Sequence, residues 1–361
     1  MLWFKKYLLP GLVFQSVLIG GGYGTGRELV EFFMSAGPIS GYPAMLVSTI
    51  LISLVMMATY ELARMTKTYD YKSFLTKILG KGSVAYEILY IPTAILTVSV
   101  MVSAAGELSH ETLGIAPIIG SLVMMALVAL VVFQGGRLIE QFFSVWSIAL
   151  YTVYIILIAM AWSILGDNIQ QTLAADHEVK SWFINGVRYT GYNIITLPVL
   201  LYSTKYIETR KEAFSAGFLG GLIGMIPAIL IYTAMLGKYP EIITQAIPAN
   251  FLMNQLDIPW LNVIFQIILF GTFIETGVGN IHGFNERIAA IYQAKGNEMP
   301  ALYRIVFAGI ALIIAVFFAN AFGLIGLISD GYGMITWGGI LIYVIPLLTV
   351  GIYKIFRKAD L

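Results

Sequence analysis

The run Ile19-Gly20-Gly21-Gly22-Tyr23-Gly24-Thr25-Gly26-Arg27-Glu28 constrains this chain more than any other stretch. Apolar sequence flanks it, from Gly11 to Leu18 before and from Leu29 to Met34 after. Glycine loosens and exposes the backbone, so the run suits a helix interior poorly. Arg27 and Glu28 are costlier guests still, at about 2.5–3.5 kcal/mol each at the centre of a membrane helix if left unpaired. A segment long enough to cross a bilayer, yet interrupted by glycines and two adjacent ions, reads as a broken membrane helix.

The rest of the chain supports a bilayer setting. Of its 361 residues 58% are hydrophobic and 11% charged, against about 25% charged in an ordinary soluble domain. Uncharged stretches run over 113–136, 141–166, 213–237, 258–274 and 305–329, and most exceed the roughly 18 residues that mark a transmembrane helix. Lys5 and Lys6 are followed by no small-residue cleavage site before the glycine run, a poor fit to a signal peptide. With no cysteine, disulfides and thiolate metal sites are excluded.

Hydrophobic periodicity and Pro/Gly punctuation predict an all-α polytopic protein with about ten spans. They cover approximately 11–35, 41–64, 83–108, 113–134, 138–165, 181–204, 212–236, 259–285, 300–319 and 322–351. The last is read as one span, with a hairpin at 331–337 as the alternative. Placing both termini in the cytoplasm puts seventeen Lys and Arg on that side, whereas Lys180 and Lys238 alone fall in the loops opposite. That is a strong positive-inside bias.

The spacing then repeats. Spans 1 and 6 are each followed by a very short link, and spans 2 and 7 by a longer one. Because five is odd, the second set enters the membrane from the other side. The expected organisation is therefore a five-helix repeat over 1–165, an inverted one over 181–351 and a cytoplasmic tail over 352–361. Gly186, Gly191 and Pro198 weaken span 6 at the place corresponding to the glycine run. Paired breaks in inverted halves point to a binding site near the midplane.

An unwound segment frees N–H groups for anions and carbonyls for cations. Candidate solute contacts are Gly22, Tyr23, Gly24, Thr25, Gly26 and Arg27 at the first break, with Gly191 and Asn193 at the second. Candidate ion-binding or coupling groups are Gly20, Glu28, Thr272, Glu275 and Thr276. Thr272 and Thr276 share one helix face and offer hard oxygen for Na⁺ beside the carbonyls of the break. Glu28 or Glu275 is the candidate proton carrier. Adjacent helical residues diverge by about 100°, so Arg27 is expected to pair across helices with Glu275.

The glycines complete no dinucleotide fingerprint, and no phosphate loop is present. The basic residues follow one membrane side and form no nucleic-acid patch. No cofactor is expected beyond a bound Na⁺, and no partner beyond a small solute and the lipid bilayer.

Gly20-Gly-Gly-Tyr23-Gly-Thr-Gly26-Arg27-Glu28, followed by Phe32-Phe33 and Gly37-Pro38, resembles the opening of the YkvI-like family of bacterial membrane proteins. That family is allied to the amino acid–polyamine–organocation superfamily, whose members have the LeuT-type five-plus-five fold. The resemblance implies a transporter in which Gly24-Thr25-Gly26 receives a substrate carboxylate. Arg27 stands where the family's usual opening resembles Gln, which puts carry-over of sodium dependence in doubt. The combined expectation is a non-enzymatic secondary transporter in the cell membrane. It would import an amino acid or small carboxylate by symport with Na⁺ or H⁺; a passive channel and a non-transporting sensor or scaffold are the alternatives.

Overall fold

The computed structural model describes residues 2–134, 136–293 and 296–357, and the chain there is helical almost throughout. The first span is assembled from fragments: α1 (Leu2–Tyr7), α2 (Leu9–Leu18), α3 (Gly21–Gly24) and α4 (Arg27–Leu29), the last running into a π-helical turn over Val30–Met34. The break predicted from the glycines is therefore present. Gly26 fixes its second edge, with φ of 79° in the left-handed region, where a side chain is strained by about 1–2 kcal/mol.

Beyond it come α5 (Gly41–Thr66), the short α6 (Tyr71–Leu79), α7 (Val84–Leu113), α8 (Pro117–Gln134) and α9 (Gly136–Ala174). The second half opens with α10 (Trp182–Asn193), which tightens into a 3₁₀ helix over Ile194–Thr204. The α-helix of span 6 thus ends near its middle, but the chain keeps a helical course, a milder discontinuity than that of span 1. Next are α11 (Arg210–Met235), the loop helix α12 (Pro248–Asn254), α13 (Pro259–Gln293) and α14 (Ala301–Gly326). A helical run through α15 (Gly333–Gly339) and α16 (Ile352–Arg357) closes the described chain. Six helical stretches among the described residues are long and apolar enough to cross a bilayer. The last, 302–357, has the length for two crossings and is parted at Gly323 (φ 64°, ψ 172°). No hairpin interrupts 331–337, and the expected tail continues as helix to Arg357.

Small residues set which helices touch. A Cβ at Gly186 of α10 would stand 2.5 Å from the Ala44 carbonyl oxygen of α5, and Ser48 donates to the Gly186 carbonyl at 3.0 Å. Gly221 of α11 lies against the backbone of α5 at Thr49 and Ser53, while α2 packs on α11. Spans 1, 2, 6 and 7 thereby form one packed group. A second group joins α7, α8, α13 and α14.

The two ends of the described chain lie on one face, where Arg210 stands over the Phe356 ring at 5.4 Å. Lys6 bridges Glu208 at 2.6 Å and Glu212 at 2.9 Å, and these side-chain hydrogen bonds raise its ammonium above the ordinary lysine value. At the other end, Lys354 donates to the Lys77 carbonyl at 2.7 Å.

Candidate functional site

A cavity of about 350 Å³ lies beside the break in the first span, a volume within the roughly 300–1,000 Å³ of small-molecule sites. Gly20, Gly22 and Glu28 line it from the first span, with Thr93 and Thr97 from α7. Across from them stand Tyr192, Asn193 and Thr196 of span 6, and Tyr332 of the last span. Residues 272, 275, 276, 279, 280 and 283 of α13 all reach it, the three-and-four spacing of one helix face. From the break the cavity extends past Val13, Val17 and Tyr202 toward the face that carries the termini.

The opposite side is closed. The hairpin over residues 241–254 lies on the break: Ala249 N–H donates to the Thr25 carbonyl at 2.8 Å. Arg27 Nη1 donates to the carbonyls of Ile243 (2.7 Å) and Gln245 (3.0 Å), and Nη2 meets Glu31 at 3.4 Å. Asn250 ties the same hairpin to Glu111 at 2.8 Å.

This geometry separates the two ions that the sequence places side by side. Arg27 faces the hairpin and pairs one turn along its own helix with Glu31, instead of crossing to Glu275. Glu28 faces the cavity. Its carboxylate lies over Gly22, where a Cβ would overlap it, and it accepts a hydrogen bond from the Tyr192 hydroxyl. Among the described residues no Lys, Arg or His forms an ion pair with Glu28. Tyr192 is itself held between two rings, Phe32 at 5.3 Å and Tyr332 at 4.6 Å, with interplanar angles of 23° and 9°. Phe32 follows Glu28 by four residues, so one helix face supplies both the carboxylate and a ring that positions its donor.

Of the thirteen predicted contacts, Gly20, Gly22, Glu28, Asn193, Thr272, Glu275 and Thr276 meet in this cavity. Gly20 and Thr276 are neighbours: a Cβ on Gly20 would stand 3.5 Å from Thr276 Oγ1. Thr272 Oγ1 is turned onto the Ile268 carbonyl of its own helix at 2.8 Å, the back-bonding that threonine often adopts. The remaining six do not line the cavity. Thr25 spends its hydroxyl on the Gly22 carbonyl (2.8 Å) and the Arg27 N–H (3.2 Å), holding the break in shape. The Gly24 carbonyl accepts from the Tyr154 hydroxyl. Gly26 lies under the hairpin at Ala249, and Arg27 binds that hairpin. Tyr23 is wholly buried, its hydroxyl without a partner among the described residues. Gly191 packs against Thr336, whose carbonyl oxygen a Cβ would approach to 2.9 Å. Helix contact, not solute contact, explains that glycine.

Solved structures with the same arrangement were found across nearly the whole chain. A manganese transporter from Eremococcus coleocola aligns over 95% of this chain and 78% of its own, with 13% identity and a TM-score of 0.61. Mhp1, a nucleobase-cation-symport-1 family transporter, aligns over 97% and 81% with 11% identity and a TM-score of 0.53. The fold is LeuT-type. A Na⁺-coupled sialic acid symporter also aligns, over 98% and 86%, with 12% identity and a TM-score of 0.53. No family model matches. By sequence, the uncharacterized membrane protein YkvI of Bacillus subtilis (strain 168) is 23% identical over 323 residues, 89% of each chain. The resemblance of the glycine run to that family thus extends through the chain.

Within the LeuT-type fold, Tyr192 and Tyr332 are among the cavity-lining residues that the sequence did not single out. Nothing local marks them among 21 tyrosines. Among the described residues no group of three His, Cys, Asp or Glu side chains is placed to hold a metal ion.

The contact between Gly22 and Glu28 yields a direct expectation. Gly22→Ala puts a methyl group where the carboxylate lies, and the flexible end of Glu28 yields before the backbone does. The Tyr192 hydrogen bond is then lost, at about 1.5–3 kcal/mol for a bond to a charged group. Solute-dependent uptake should fall at least tenfold while the detergent-purified protein remains folded; wild-type uptake by Gly22→Ala would refute the assignment.

Proposed function

We propose that this chain is a secondary active transporter that carries a small solute across the cell membrane in symport with a cation. It has ten spans in two inverted repeats, with both termini cytoplasmic. The cavity on one side of the span 1 break, sealed on the other by Arg27 and the 241–254 hairpin, carries this reading. A site reached from a single face is what alternating access requires, whereas a passive pore needs a path open to both. With the termini cytoplasmic, the cavity faces inward. The other face would open by rocking of spans 1, 2, 6 and 7, the first packed group, against the group containing α7 and α13.

The solute is of amino-acid size, in keeping with the cavity volume and with the superfamily that the glycine run resembles. Glu28 carries the coupling proton, supported by its place in the cavity wall and by the hydrogen bond it accepts from the Tyr192 hydroxyl. Sodium coupling is the second reading, favoured by the meeting of Gly20 and Thr276 and by the likeness to a Na⁺-coupled symporter.

The test is uptake by proteoliposomes holding the full chain, under an imposed proton or sodium gradient. Saturable accumulation that stops when the proton gradient collapses supports the proton reading. Accumulation that follows sodium and is lost in Thr276→Val supports the second. Ohmic single-channel current in place of saturable flux would sink the carrier.

A further inference from the structure

We propose that the chain binds the phosphate group of an anionic phospholipid between Lys5 and Lys205, on the face where Lys6 bridges Glu208 and Glu212. Both ammonium groups lie over one ring, that of Tyr206, at 4.8 Å for Lys5 and 5.2 Å for Lys205. The ring attracts each of them. Gathered on it, they stand no farther apart than about one Debye length at 0.1 M salt (about 10 Å), so they repel each other. Among the described residues no carboxylate forms an ion pair with either lysine. The acids of the neighbouring turn, Glu208 and Glu212, are taken by Lys6. Arg210 on the same face also stands over a ring, Phe214 at 5.3 Å, but it has Glu61 at 3.9 Å to balance it. Lys5 and Lys205 are two cations on one ring without a counter-charge, an arrangement that favours an anion reached by both.

The surroundings identify a lipid as the source of that anion. Leu2, Trp3 and Phe4 are exposed just before Lys5, and Tyr202 is exposed four residues before Tyr206. Apolar and aromatic side chains bared at the ends of membrane helices mark the level where acyl chains meet headgroups. A free phosphate makes no use of them. A phospholipid sets its phosphodiester on the two ammonium groups and lays its chains along this apolar edge. Lysine suits the task, because its stem lies along apolar surface while its charge reaches headgroup level, where anionic lipids are drawn to it. Lys5 belongs to α1 of the first span, and Lys205 follows the 3₁₀ end of the sixth. One headgroup therefore ties together the two discontinuous spans. Tyr202 also lines the central cavity, which puts the headgroup beside the cavity mouth.

The experiment is thermal unfolding of the full chain in detergent, titrated with phosphatidylglycerol, with phosphatidylcholine of the same acyl chains, or with inorganic phosphate. Phosphatidylglycerol should raise the melting midpoint saturably, since a ligand of the folded state stabilises it, and added salt should weaken the effect. Phosphatidylcholine and inorganic phosphate should give smaller shifts or none. Lys5→Gln combined with Lys205→Gln should raise the half-saturating phosphatidylglycerol concentration at least tenfold. Lys72→Gln with Lys81→Gln removes two exposed lysines from the same face and should leave that concentration unchanged. Equal shifts from the two lipids would overturn the anion site, and a shift from inorganic phosphate equal to that from phosphatidylglycerol would overturn the lipid. Equal weakening by the two double variants would mean attraction to a basic surface at large, which overturns the assignment to Lys5 and Lys205. No shift with phosphatidylglycerol would overturn it outright. The lipid and phosphate series uses the unaltered chain, so it stays decisive even where the first double variant fails to fold.

Discussion

Glu28→Gln is expected to leave the protein folded and to abolish accumulation of solute against its gradient. The substitution preserves shape. Glutamine fills the space over Gly22 and still accepts a hydrogen bond from the Tyr192 hydroxyl, so the ring stack of Phe32, Tyr192 and Tyr332 has no cause to rearrange. What is lost is a group that gains and releases a proton. In the proposed cycle Glu28 loads its proton from the outer side and gives it up inside, so wild-type uptake should rise as the outer solution is acidified. In Glu28→Gln that dependence should flatten. Net accumulation should drop by about tenfold or more, because a side chain that cannot gain and release a proton cannot draw on the proton gradient, even though the Tyr192 hydrogen bond is kept. Downhill exchange of solute should persist, because the cavity keeps its form. The decisive measurement is uptake into proteoliposomes at several outer pH values, beside exchange at equal pH. Unchanged accumulation with an unchanged pH profile would remove Glu28 from the coupling step.

The break itself was legible because it is written in backbone chemistry. Glycines at 20, 21, 22, 24 and 26 bar an ordinary helix whatever surrounds them. The stripe of α13 was legible in part, since Thr272, Glu275 and Thr276 share a face by helical spacing alone. The facing of Arg27 and Glu28 was not. A turn of about 100° per residue says that their side chains diverge, but not which one meets the cavity. That choice follows from the hairpin over 241–254, more than two hundred residues away, whose carbonyls at Ile243 and Gln245 have the spacing to receive a guanidinium. A local clue did exist in Glu31, four residues after Arg27. Spacing alone does not rank it above Glu275, because a buried cation calls for a partner on its own helix or on any helix beside it. Gly191 misled for a related reason: a glycine that admits a neighbouring backbone and one that unwinds a helix read alike until Thr336 is seen beside it. The stacking of Tyr192 on Tyr332 joins spans far apart in the chain, and no periodicity within either span encodes that meeting.

Arg27→Ala is expected to open the closed face. Arg27 is 5% exposed, and its guanidinium joins the break to two carbonyls of the hairpin and to Glu31. A planar fork suits this duty better than a lysine ammonium, which is one strongly hydrated point charge. Each hydrogen bond from a charged donor contributes about 1.5–3 kcal/mol. Water reaching the freed carbonyls in the open form offsets part of that, so a population shift of about tenfold toward the open face is expected, near 1.4 kcal/mol. The chain has no cysteine, so one introduced thiol reports without background. Ala249 is 1% exposed and lies directly on the break, with its N–H on the Thr25 carbonyl. In an Ala249→Cys background, a membrane-impermeant maleimide applied to the hairpin side should react slowly. Adding Arg27→Ala should speed that reaction about tenfold, and Arg27→Lys should fall between the two because its ammonium keeps the charge but not the fork. Labelling that stays slow in Arg27→Ala would mean that the hairpin is held by its other ties, Asn250 to Glu111 among them, and would relieve Arg27 of the gate. Labelling that quickens together with a loss of inner-side accessibility at Val17 would instead mean that Arg27 and Glu28, neighbours in sequence, govern opposite faces of one site. Gate and coupling group then move as one piece of helix, and the short stretch from Gly26 to Glu28 would link the charge state of the cavity to the closing of the far side.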